Sequence, residues 1–108
     1  MPLFLSQFSY TPEALANMIN NPEDRGAAID SHLKQVGGRL ISFYFSSGDY
    51  HGLTIYEAPA GADALITQFA SEAKGFAKAV KTTQIFSAEE GLEVLKKAKD
   101  ITIRLPGS

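Results

Sequence analysis

The sequence predicts an α+β fold in which helices cover one face of a four-stranded antiparallel sheet. Four short apolar and aromatic runs have the two-residue alternation of strands, and longer stretches repeat apolar residues every three or four positions, as helices do. Two of the strand-like runs are separated only by residues 47–50, which is typical of a hairpin. The 108 residues suffice for one domain and are too few for two, so we expect a single domain over residues 1–108.

The first half of the chain predicts one strand and a kinked pair of helices. Leu3–Tyr10 alternates as a strand does, and Thr11 followed by Pro12 has the residues that cap and begin a helix. Asn20-Asn21-Pro22 interrupts the helical pattern, because a proline cannot donate the backbone hydrogen bond. The same residues can restart a helix, with Asn21 as cap and Pro22 at its first position. We expect this second segment to end at Gly37-Gly38.

The second half predicts a hairpin, a long helix and a fourth strand. Arg39–Ser46 and His51–Glu57 are the two strands of the hairpin, with Ser47–Tyr50 as the turn. Apolar residues from Ala62 to Ala73 then recur at helical spacing, and Gly75 ends this predicted helix. Val80–Phe86 is the fourth strand.

A short helix and a tail follow the fourth strand. Ser87 and Glu90 have the spacing of a capping box, which opens a helix containing Leu92 and Leu95. The tail from Ile101 to Pro106 alternates apolar and polar residues, so it is either an extra edge strand or an arm that reaches a partner.

This order of elements is the βαββαβ arrangement of a ferredoxin-like fold, which leaves one sheet face uncovered. Alternation sorts the two hairpin strands into a purely apolar set and a set that mixes hydroxyls with aromatic rings, of which the first suits a core and the second an interface. The face assignment of the first strand stays open. An uncovered, partly apolar face predicts self-association as a homodimer or higher oligomer. The apolar set is Ile41, Phe43, Phe45, Leu53 and Ile55, and the mixed set is Leu40, Ser42, Tyr44, Ser46, Thr54 and Tyr56.

Composition and charge exclude several other classes of protein. Hydrophobic residues make up 44% and charged residues 20%, as in ordinary globular chains. A net charge of -2 argues against a nucleic-acid partner, and the absence of cysteine excludes disulfides and thiolate chemistry. No apolar run approaches the roughly 18 residues of a membrane span, and no basic residue precedes the first apolar stretch. We therefore expect a cytoplasmic protein without a membrane partner.

His51 heads one group of candidate ligand-binding residues, at the hairpin turn. It opens the third strand, two residues after Asp49 and next to Tyr50. A histidine beside a carboxylate suits general acid–base chemistry, although turn geometry alone also explains these residues.

His32 heads a second group, because it lies on the apolar stripe of the second helical segment. It would either sit at the core boundary or join Tyr44 and Tyr56 in a polar cluster within a cavity. A metal site would require both histidines to converge with a carboxylate, and no metal-ligand spacing is present. We expect no metal and no other cofactor.

The hairpin carries a resemblance to a known family. Ser42–Tyr50 followed by Leu53–Pro59 resembles the diagnostic centre of the GYD-domain family, although the turn here is Gly48-Asp49-Tyr50 with His51-Gly52 inserted after it. The opening strand, the threonine-led helix, the Asn-Pro break and Gly37-Gly38 also match the family layout. The resemblance covers roughly residues 2–90. It implies a dimeric α+β barrel, in which two sheets pack face to face, and implies no particular activity.

Three functions remain open at this point. The first is a small homo-oligomeric protein that binds a small molecule in a pocket by the sheet. The second is a cofactor-independent isomerase or monooxygenase-like enzyme, and the third is a structural or regulatory oligomerisation module. A filled, dry interior would favour the third, whereas polar groups around a void would favour the first two.

Overall fold

The computed structural model describes residues 1–107 and has the predicted ferredoxin-like α+β architecture. Its sheet is antiparallel throughout, with the strand order β2-β3-β1-β4. Among residues 1–107, none of the helices combines the length and apolar character that crossing a membrane requires. In chain order, the elements are β1 (Leu3–Tyr10), α1 (Pro12–Asn20), α2 (Arg25–Lys34), β2 (Arg39–Phe45), β3 (Gly52–Glu57), α3 (Gly61–Ala73), β4 (Ala77–Ile85) and α4 (Ala88–Lys99).

The second helix begins later than predicted. Asn21 is not its cap: the backbone N–H of Asn21 donates to Asn17 and closes α1. Asp24 is the cap instead, because its carboxylate accepts from the backbone N–H of Ala27 at 3.2 Å. The predicted restart at Asn21 and Pro22 was therefore wrong, and residues 21–24 connect two separate helices.

Strand β4 begins three residues earlier than the predicted start at Val80. Ala79 has a φ of 52°, and the register with β1 shifts opposite it, between Gln7 and Ser9. This irregularity breaks the alternation by which strands are recognised, so the pattern conceals the first part of β4.

The two sheet faces are divided differently from the prediction. Phe4 pairs with Tyr56 and Ser6 with Thr54, and all four are buried beneath the helices. Leu53 and Ile55, predicted as core, lie on the opposite, open face with Leu5. Assigning the apolar set of β3 to the core was therefore wrong.

A second irregularity explains why alternation also misleads in β2. The register with β3 shifts between Leu40 and Ser42, so Leu40 and Phe43 both pack against the core although their parity differs. Tyr44 and Ser42 pair with Leu53 and Ile55, which places them on the open face.

Helix α3 presents small and polar side chains to the sheet. Ala64 is buried and Thr67, Gln68 and Ser71 are half-buried, whereas the larger Leu65, Ile66 and Phe69 are exposed. Because small side chains fill little volume, α3 leaves space between itself and the sheet.

The last part of the chain stands apart from this core. No residue of α4 is buried, although Ser87 and Glu90 form the predicted capping box. Residues 101–107 form no strand, so the tail is not an extra edge strand. Leu92, Leu95 and Ile103 are all more than half exposed.

Candidate functional site

A cavity of about 350 Å³ lies between the sheet and the helices α2 and α3. Its walls come from β1, β3, β4 and the two helices, and exposed residues such as Gln35 and Ala70 lie at its edge. The small side chains of α3 explain why the space is not filled. Its volume falls in the range of small-molecule sites.

Buried hydroxyl groups lie at one side of the cavity. The Ser6 hydroxyl is 3.0 Å from the Tyr56 hydroxyl and 2.8 Å from that of Thr82, which in turn lies 3.4 Å from the Gln68 carbonyl oxygen. Burial raises the pKa of Tyr56 above its ordinary value, against the opposing effect of its bond to Ser6. These groups satisfy one another, which explains how hydroxyls occupy the helix side of the sheet.

Tyr10 and Arg25 contribute two buried polar atoms with no partner. Tyr10 is only 2% exposed, and its hydroxyl has no hydrogen bond within the described chain. The Nε of Arg25 is likewise buried and unpaired among residues 1–107. The guanidinium carbon lies 5.9 Å from the Tyr10 ring centroid and 5.7 Å from that of Phe76, between the two rings. Unpaired buried donors are rare in native structures, so both atoms can donate to a further acceptor such as water or a ligand.

The charge states of this pair follow from their surroundings. Burial raises the pKa of Tyr10, and the neighbouring Arg25 guanidinium opposes the effect without a hydrogen bond of ordinary geometry between them. Burial alone would lower the pKa of Arg25, but its bond to Glu23 and its proximity to Tyr10 outweigh burial and raise it. At neutral pH the cavity therefore holds a neutral phenol beside a guanidinium cation.

The ion pair of Arg25 with Glu23 involves Nη1 and leaves Nε without a hydrogen-bond partner among residues 1–107. Nη1 donates to Glu23 at 2.7 Å, and the Glu23 side chain is 58% exposed while that of Arg25 is 13% exposed. The carboxylate therefore binds from the solvent side and does not reach the buried Nε.

Two of the predicted site residues line this cavity. Tyr56 belongs to its buried wall, and His32 lies at its edge, exposed, with its ring 6.3 Å from Phe76. Tyr44 is 61% exposed on the open face of the sheet and is separated from them by the sheet itself.

The other three predicted residues lie at the hairpin, outside the cavity. Nδ1 of His51 accepts the backbone N–H of Tyr10 at 2.8 Å, and its ring stacks on the Tyr10 ring at 6.1 Å. His51 therefore contacts the cavity only through Tyr10. Asp49 is exposed, and the carbonyl of Tyr50 accepts from the Ser46 hydroxyl at 2.6 Å.

Sequence reasoning missed Tyr10 and Arg25. In the sequence, Tyr10 is indistinguishable from other aromatic strand residues, but the position of Arg25 could have identified it as a site residue. It is the first residue of α2, and a cation at a helix N-terminus opposes the helix dipole. An arginine at that position is held by other contacts, here the ion pair with Glu23 and the rings of Tyr10 and Phe76.

Within residues 1–107, no group of three histidine or acidic side chains is placed to hold a metal ion. The polar groups that do converge are hydroxyls, an arginine and a histidine, which suit hydrogen bonding to an organic molecule.

Comparison with known proteins bears on the fold. A family model described as the GYD domain matches residues 4–95 of the 108-residue chain. No curated protein matches the sequence.

Proposed function

The chain belongs to the GYD-domain family, and because this membership implies a fold but no activity, we propose the function from the cavity. The protein binds a small molecule in the space between the sheet and helices α2 and α3, as a homodimer. The observation that carries the proposal is the cavity of about 350 Å³, whose lining includes Tyr10 with its buried and unpartnered hydroxyl. A purely structural module would gain stability by filling that space and pairing that hydroxyl.

A cofactor-independent isomerase or monooxygenase-like enzyme is the second candidate. It is supported by His32, which shares the cavity with the hydrogen-bonded hydroxyls of Ser6 and Tyr56. Such groups suit proton transfer to or from a bound molecule. If the protein converts a bound compound, we expect His32→Asn to abolish the conversion and retain binding, which would support the enzyme. Unchanged conversion in that variant would exclude His32 from the reaction.

Two features of the single chain support the homodimer: a half-buried apolar stripe on the open sheet face and a large accessible surface area. The open sheet face carries an apolar stripe, and the chain exposes 7481 Å², roughly 1,600 Å² more than the ~5,900 Å² of a compact protein of this mass. A standard interface buries about 800 Å² on each partner, so the excess is about twice the area that one such interface covers. A second copy packed on the open face, with α4 and the tail reaching across it, would cover this excess. The stripe consists of Leu3, Leu5, Leu53, Ile55 and Ile85.

Native mass spectrometry tests both parts of the proposal. We expect a dimer that retains a small molecule, and we expect Ala70→Trp to lose that mass, because Ala70 lines the cavity at its exposed edge. Ala73→Trp is the matched control, on the same helix and also exposed but not part of the cavity lining. Equal retention in both variants would contradict binding in the cavity, and a monomer would contradict the dimer.

A further inference from the structure

We propose that the cavity selects an apolar carboxylate, whose head group accepts hydrogen bonds from Arg25 Nε and the Tyr10 hydroxyl. This inference rests on the proposed function, because it requires that the cavity is a ligand site. It adds the chemical class of the ligand and the two side chains that select it.

The first argument comes from the two unpaired atoms. A guanidinium nitrogen can only donate, and a neutral phenol can donate, so both can satisfy one acceptor placed between them. Both residues line the same cavity, and both of these atoms are buried. A carboxylate is the acceptor that matches a guanidinium best in charge and in planar geometry.

The second argument comes from the charges around the cavity. Its lining includes Arg25 and Lys74 and, among the described residues, no aspartate or glutamate, since the Glu23 carboxylate that pairs with Arg25 Nη1 lies outside the lining. The chain as a whole has more acidic than basic residues, with a net charge of -2. The cavity therefore differs in sign from the rest of the molecule, and this local field favours an anion.

The third argument concerns the body of the ligand. The apolar residues of the lining include Phe8, Ile29, Leu33, Val36, Phe76 and Val80. An apolar body of modest size would release water from these side chains, which is favourable. A phosphate group fits poorly, because two donors in apolar surroundings cannot replace the larger hydration shell of a doubly charged anion.

Three probes with one tail and different heads test the selectivity. We would titrate the full-length protein with octanoate, 1-octanol and octylammonium by isothermal titration calorimetry. We expect octanoate to bind about 10- to 100-fold more tightly than octanol, as for a hydrogen bond to a charged group, and octylammonium to bind most weakly.

Variants then assign the effect to residues. Arg25→Gln should weaken octanoate binding about 10- to 100-fold and octanol binding by a smaller factor, because the octanol head group carries no charge. Tyr10→Phe, which keeps the ring, should weaken octanoate binding about two- to tenfold. Lys97→Gln is the control, because it removes an exposed cation on α4, outside the cavity.

The outcomes separate this inference from the proposed function. Equal binding of octanoate and octanol, both abolished by Ala70→Trp, would overturn the carboxylate preference and leave the cavity as a ligand site. Octanoate affinity that resists Ala70→Trp, or that is unchanged in folded Arg25→Gln and Tyr10→Phe, would also overturn the inference. Failure of all three probes in a protein that retains no molecule would overturn both proposals.

Discussion

Tyr10 is held from one side by His51 and faces the cavity on the other. His51 Nδ1 accepts the backbone N–H of Tyr10, and the His51 backbone N–H donates to the carbonyl of Phe8. Nδ1 therefore serves as the acceptor that holds this part-buried backbone N–H. The sequence-based role of His51 as an acid–base group remains a prediction, and in this geometry the residue also positions the strand end that carries Tyr10.

Replacing His51 tests its structural role. We expect His51→Ala to lower the free energy of unfolding by about 1–3 kcal/mol, because the part-buried amide of Tyr10 loses its acceptor. His51→Asn should recover part of this loss, since its side-chain oxygen occupies nearly the position of Nδ1. Urea denaturation measures both, and an equal loss in the two variants would argue that the ring, not the acceptor, is what matters.

The buried tyrosines predict how stability depends on alkaline pH. Burial raises the pKa of both Tyr10 and Tyr56 above the ordinary value of 10.0. Above that pH the unfolded chain releases protons that the folded chain retains, so folding stability falls as pH rises through the raised values. Below pH 10 both tyrosines are neutral in the folded and the unfolded chain, so folding stability is not reduced by their ionisation.

Denaturation midpoints between about pH 8 and about pH 11 measure this dependence. We expect Tyr56→Phe to flatten the decline, because the side chain that resists ionisation is gone. Tyr44→Phe is the control on an exposed tyrosine, and the same flattening in both variants would contradict the assignment to burial.

At the scale of elements, Thr11 joins the start of α1 to the turn between α3 and β4. Its hydroxyl accepts the backbone N–H of Ala14 at 3.2 Å and donates to the carbonyl of Gly75 at 2.8 Å. One side chain thus caps one helix and fixes the end of another. The cap was predictable from Thr11-Pro12, whereas the long-range bond to Gly75 was not.

We expect Thr11→Ala to lower the free energy of unfolding by about 1–2 kcal/mol, within the range measured for helix caps. Thr11→Ser retains the hydroxyl and should lose much less. Thermal denaturation followed by circular dichroism compares the two variants. A loss of similar size in both would mean that the methyl group, rather than the hydroxyl, is responsible.

Most element bounds could be predicted because their causes are local. The predicted β1 and the capping box of α4 are confirmed, and α3 ends at Ala73 as expected. Two of the errors fall where the backbone is irregular. The bulge near Ala79 and the register shift after Leu40 arise from how strands pair, which no short stretch of sequence encodes.

At the scale of the whole molecule, the single chain is elongated. Its extents are 61 × 31 × 24 Å, and its radius of gyration is 17.5 Å, against about 13 Å for a compact chain of this length. The exposed α4 and the tail form an extended arm that carries apolar side chains, and this arm explains the elongated shape. Such an arm is what a chain that completes its fold on a second copy would have.

A charge on the open face tests the proposed dimer. We expect Ile55→Lys to convert the dimer to a monomer, because a lysine at the centre of an apolar interface would be buried without a partner. Size-exclusion chromatography with light scattering measures the mass. Ser31→Lys, exposed on α2, is the control and should remain dimeric. A dimer in the Ile55→Lys protein would place the interface elsewhere.

Sequence alone determined the order of the elements, the ferredoxin-like class and the family, because periodicity, caps and turn residues act over a few neighbours. Two members of the site, His32 and Tyr56, could also be named from it. Tertiary structure decided the rest. It placed Thr54 and Tyr56 inside, with the Tyr56 hydroxyl paired to that of Ser6 across the sheet, and it brought Arg25 against Tyr10 from another element. A cavity exists only between packed elements, so its lining emerges when the chain folds.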